Sequence, residues 1–245
     1  MMRSANPALS DNAFRSAGVA FGSEAMTIDG AVHKTGISLL VLLFAAAFVW
    51  NGGLGDATPL AVMGGAIGGL VLALVTVFKK TWAPITTPLY AAAQGLFLGG
   101  ISATYEARYP GIVINAVGLT MGTLAALLLA YRSGLIRATE NFKLGIVAAT
   151  GAIFLVYLVS MVLGFFGVQV PLIHGSGMVG IGFSLFVVAI AALNLVMDFD
   201  FIENAAGRAP KYMEWYAAFG LLVTLVWLYI EILRLLAKLQ GRDRR

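Results

Sequence analysis

Residues 144–197 read LGIVAATGAIFLVYLVSMVLGFFGVQVPLIHGSGMVGIGFSLFVVAIAALNLVM, 54 positions between Lys143 and Asp198 without one Asp, Glu, Lys or Arg. A helix that crosses the hydrocarbon layer needs about 20 apolar residues. The stretch therefore holds two such helices. The turn between them is GFFGVQVPLIHGSG (164–177), where Gly and Pro punctuate the run. The spans lie roughly at Leu144–Gly164 and Met178–Met197. Working outward, the uncharged gaps are 21 residues from Lys34 to Asp56, 22 from Asp56 to Lys79, 25 from Lys80 to Glu106 and 23 from Arg108 to Arg132. Each fits one span and none fits two. A final run, Trp215–Leu236, is broken only by Glu231 and Arg234. The count is seven.

Composition agrees. Of the 245 residues, 60% are hydrophobic and 11% charged, and mean hydropathy is +0.89. Soluble domains carry about 25% charged residues. No water-soluble core of this length hides so much apolar surface, so the solvent is lipid. A soluble enzyme and a nucleic-acid-binding domain are excluded as the main reading. Cys is absent and His is limited to His33 and His174, which removes disulfides, thiolate chemistry and a His-rich zinc site.

Three regions follow: a polar N-terminal tail (1–32), a seven-helix membrane domain (33–240) and a basic C-terminal tail (241–245). With the N-terminus cytoplasmic, the inner loops carry Lys79, Lys80, Arg132, Arg137, Lys143, Arg208 and Lys211, and the outer loops Arg108 alone. That is a positive-inside pattern for a multi-pass protein of the cytoplasmic membrane. The tail arginines, Arg242, Arg244 and Arg245, point the other way, which leaves a re-entrant last segment open.

Small residues recur four apart: Gly64/Gly68, Gly65/Gly69, Gly95/Gly99 and Gly118/Gly122. In lipid such spacing lets helix backbones approach closely, either inside one bundle or, less often, across a dimer face. GSGMVG (175–180) matches a dinucleotide-binding fingerprint in letters only, because no βαβ unit surrounds it. Serine-hydrolase, Walker A and zinc-protease motifs are absent, and no enzymatic activity is expected.

Acids inside apolar runs carry the sharpest signal, since an intramembrane carboxylate is costly and usually paired or solvated in a cavity. Asp198 and Asp200 lie in LNLVMDFDFIEN, and Glu231 lies in WLYIEILRLL. Read plainly, the first two end a helix at the interface and Glu231 pairs with Arg234 at i,i+3. Read functionally, helices six and seven share one polar site, to which Gln94 is a possible auxiliary. With a hairpin turn near Gly207–Pro210, Asp198 and Glu231 differ in depth by roughly 18 Å at 1.5 Å per residue. They meet only if the chain after Asp200 leaves the helix.

LNLVMDFDFIE and LVWLYIEILRLLAKL resemble the two final helices of the Bax inhibitor family, and AAAQGLFLGGIS resembles its third. MTIDGAVHKTGISL (26–39) is similar to a bacterial branch. The resemblance implies an all-α integral membrane fold, a seven-transmembrane-helix bundle with the last helix central. It implies a pH-sensitive calcium leak, with Ca2+ as permeant ion near Asp198 and Glu231 and no other cofactor. It also implies that these two acids share a proton and gate the path, with Asp200, Gln94 and Arg234 as auxiliaries. The family places Asp where Glu231 stands, and the second span here lacks an internal Arg. The alternative function is a non-conducting regulator that binds a membrane protease or another membrane complex.

Overall fold

The computed structural model describes residues 25–167, 175 and 177–243. His174 and residues 1–24 of the polar tail fall outside them. Among these residues seven α-helices follow in chain order: α1 (Ile28–Trp50), α2 (Thr58–Phe78), α3 (Ala83–Arg108), α4 (Ile112–Arg132), α5 (Glu140–Phe165), α6 (Met178–Ala205) and α7 (Met213–Asp243). Helix α1 begins at Ile28, ahead of the boundary expected at residue 33, because the Thr27 hydroxyl caps it by accepting the Gly30 N–H.

Among the described residues, six helices are long and apolar enough to cross a membrane. The exception is α3, whose apolar run is diluted by Thr86, Thr87, Gln94, Ser102 and Thr104. Helices α1, α2 and α7 all pack on it, burying Tyr90, Ala91, Leu98 and Ser102, while Ile85 and Leu89 stay exposed. Helix α7 is central: 67% of its membrane-length segment is buried, against 44% for α6 and 17–22% for α1, α2, α4 and α5. It is continuous from Met213 to Asp243, so the last segment is a full helix of about 46 Å and not a re-entrant loop.

The ends of the helices fix their directions. Lys34 on α1 stacks over Trp215 on α7, 5.4 Å from its ring centre. The segment before α1 is tied to the α6–α7 turn, with Met26 N–H donating to the Ala209 carbonyl (2.7 Å) and Gly207 N–H to the Met26 carbonyl (2.9 Å). Glu214, 1% exposed, accepts the Thr27 N–H (3.1 Å) and hydroxyl (2.9 Å). At the far end, Lys238 of α7 meets the first turn of α6. Helices α1 and α7 thus start on the same side, and α6 runs antiparallel to α7.

The glycine pairs divide by face. A Cβ on Gly65 would lie 2.5 Å from the Ala93 carbonyl oxygen of α3, and one on Gly99 would lie 2.6 Å from the Ala46 carbonyl oxygen of α1. Gly64, Gly68, Gly118 and Gly122 have nothing within 4 Å at that position. Half of the pattern is bundle packing and half faces outward. Gly99→Ala is expected to cost about 1–3 kcal/mol, because a backbone carbonyl cannot move aside and α1 must shift from α3. Gly118→Ala should be neutral or slightly stabilising. Thermal unfolding in micelles compares them, and equal stabilities would refute the assignment of faces.

Candidate functional site

Asp198 and Asp200 are two residues apart on one helix, so their side chains diverge by about 200°. Asp198 turns inward to α7 and is 0% exposed. Its Oδ2 accepts the Thr224 hydroxyl at 2.6 Å. Asp200 turns to α5, where its Oδ2 lies 2.8 Å from Lys143 Nζ. Lys143 also reaches Glu140 at 3.5 Å, and the Tyr131 hydroxyl donates to Glu203 and lies 3.4 Å from Asp200. One acid therefore joins α6 to α7, and the other joins α6 to α5 at its end.

Glu231 stands seven positions beyond Thr224 on α7, two turns or roughly 10 Å along the axis. Its side chain is 2% exposed and bound by Arg234 Nη1, at 2.9 and 3.1 Å from its two oxygens. This is the i,i+3 pair that the spacing predicts. The Tyr157 hydroxyl of α5 lies 3.0 Å from both oxygens and itself accepts from Arg234 at 2.8 Å. The guanidinium also lies 5.3 Å from the Tyr157 ring centre, within cation–π range. Four residues past Arg234, Lys238 donates to the Gly180 carbonyl (3.0 Å) and the Ser184 hydroxyl (2.8 Å). Glu231, Arg234 and Lys238 share one stripe of α7, tying it to α5 and α6.

The two acids of the expected shared site are thus held by different partners. Helix α6 stays helical through Ala205, and the chain does not leave the helix after Asp200. At that register the residue of α7 that bonds Asp198 is a hydroxyl, Thr224. Gln94 on α3 lies against Gly69 of α2, and its Oε1 is buried without a hydrogen-bond partner among the described residues. No cluster of three or more His, Asp or Glu that could hold a metal occurs among the described residues.

Thr224, Tyr157, Lys143, Lys238 and Glu214 were missed in the sequence. Thr224 had a signal: it precedes Glu231 by seven and so shares its face within GLLVTLVWLYIEILRLL. Tyr157 had none, since a Tyr in IFLVYLVSM reads as an ordinary apolar position.

A bundle of long apolar helices whose interior carboxylates all find partners is a multi-pass membrane protein. The family described as Bax inhibitor 1 like matches residues 6–241, and the chain belongs to it. No curated protein matches the chain.

Proposed function

We propose that this chain is a proton-regulated calcium leak of the cytoplasmic membrane, with all seven helices spanning and the N-terminus cytoplasmic. The observation that carries the reading is the fully buried Asp198 of α6, hydrogen-bonded to Thr224 of the central helix α7. A protonated Asp198 is neutral and joins α6 to α7 within the bundle. An ionised one is a charge in low-dielectric surroundings, which is relieved by admitting water or a cation between the helices. Protonation closes the path and deprotonation opens it. Glu231, bound by Arg234 and Tyr157, holds α7 to α5. Calcium uptake into proteoliposomes over a pH series tests this: flux should rise as pH rises. Vesicles as tight as empty ones at every pH would refute conduction.

The second reading is the non-conducting regulator. The outward-facing Gly64/Gly68 and Gly118/Gly122 favour it, since they leave smooth tracks for a partner's helix.

Topology has its own test, and the chain supplies a clean background because it contains no Cys. Single cysteines at Lys80 or Arg137 should resist impermeant thiol reagents from outside and react after permeabilisation. Labelling from outside would reverse the orientation.

A further inference from the structure

A cavity of about 220 Å3 opens sideways between α1 and α4, with α3 and α7 behind it. Its rims are Leu43, Ala47 and Trp50 of α1 and Met121 of α4. Its floor includes Leu225 and Tyr229, both buried on the central helix. The hydroxyls on its wall already have partners. Tyr229 and Ser102 are hydrogen-bonded to each other at 2.6 Å, and Thr120 donates to the Ala116 carbonyl at 2.7 Å. Water held in a cavity needs two to four polar partners, and apolar cavities of about 150 Å3 stay dry and take up hydrocarbon ligands. A polar ligand would lose its hydration here and gain nothing in return.

The geometry points to a lateral binding site for one acyl chain of a bilayer phospholipid. The cavity mouth is continuous with the exposed apolar flanks of α1 and α4, including Phe44, Phe48, Ile114 and Leu119. In a family of membrane proteins those flanks face hydrocarbon, so the material at the mouth is acyl chain. The α1 wall from Leu39 to Trp50 is about 16 Å long, a span suited to an extended chain and not to a compact ring. A chain seated there lies against Leu222 and Leu225, the neighbours of Thr224, and supports α7 from the side away from α5. A second copy of the protein would have to insert a side chain past both rims, and the mostly Leu and Val lining offers it no polar group to fix its register.

The test uses the full chain in vesicles containing phosphatidylcholine with a photoactivatable diazirine on one acyl chain, followed by mapping of the adducts. Wild-type protein should carry adducts on Leu225 and Tyr229. The filling variant Ala47→Phe with Val117→Phe, which places one ring on the α1 side and one on the α4 side of the cavity lining, should lose about ten-fold of that floor labelling, while labelling at Ile114 and Leu119 is unchanged. Floor labelling that is absent in the wild type, or equal in both proteins, overturns the proposal. A diazirine fatty acid in a parallel arm separates the sources: floor labelling by the free acid alone would overturn the phospholipid assignment, as would cross-links to a second copy through the rims. Should the filled variant not fold, native mass spectrometry of the wild-type protein decides. A retained phospholipid that survives detergent exchange is expected, and a bare chain overturns the site.

Discussion

Arg234→Ala is expected to destabilise the bundle by about 1–3 kcal/mol, less than for a fully buried ion pair because the Arg234 side chain is 32% exposed while Glu231 is buried. Glu231 is 2% exposed and its two oxygens face Arg234 and Tyr157. Removing the guanidinium leaves a carboxylate in the bundle with one phenol, which can donate a single hydrogen bond. Lys238, next on the same stripe, is already engaged with Gly180 and Ser184. The double variant Glu231→Gln with Arg234→Gln removes both charges and should cost much less than Arg234→Ala, because the penalty comes from the orphaned charge and not from the lost attraction. Denaturation in mixed micelles measures both. Should Arg234→Ala prove as stable as wild type, the Glu231–Arg234 pair would not hold α7 in place, and the division of labour between the two acids would collapse.

The positions of the helices were legible because charge is expensive in hydrocarbon. Lys34, Asp56, Lys79, Lys80, Arg108, Arg132, Lys143 and Asp198 punctuate the chain; each uncharged gap of 21 to 25 residues became one helix and the 54-residue gap became two. The helix ends were less legible. Asp198 and Asp200 read as the end of helix six, yet α6 continues to Ala205, since each acid finds a partner on a neighbouring helix and neither has to reach water. That extension shifts the register by two turns. It sets Thr224, not Glu231, as the hydrogen-bond partner of Asp198 on α7. Sequence spacing along one helix predicted the Glu231–Arg234 pair, a local event. The contacts of Tyr157 with Glu231 and of Lys143 with Asp200 depend on which faces of α5 and α6 meet, and a nearly uniform apolar α5 or α6 carries no amphipathic stripe from which to read that.

Asp198→Asn should give low calcium flux that has lost most of its dependence on pH. The amide oxygen still accepts the Thr224 hydroxyl, so the α6–α7 contact survives while the charge that would part the helices is gone. Thr224→Val makes the complementary change: the charge remains and the bridging donor is lost. Its flux should exceed wild type at low pH and keep a pH dependence. The double variant should leak more than Asp198→Asn alone and show no pH dependence, because the amide has lost the donor that joins α6 to α7 while nothing remains to ionise. Glu231→Gln separates the proposed roles. If Glu231 shared the proton of Asp198, this variant would flatten the pH profile as Asp198→Asn does. Held instead by Arg234 and Tyr157, it should lower stability and leave the profile's shape in place. A flattened profile in Glu231→Gln at unchanged stability would restore the shared-proton pair, and flux in Asp198→Asn that still climbs with pH would remove Asp198 from the gate.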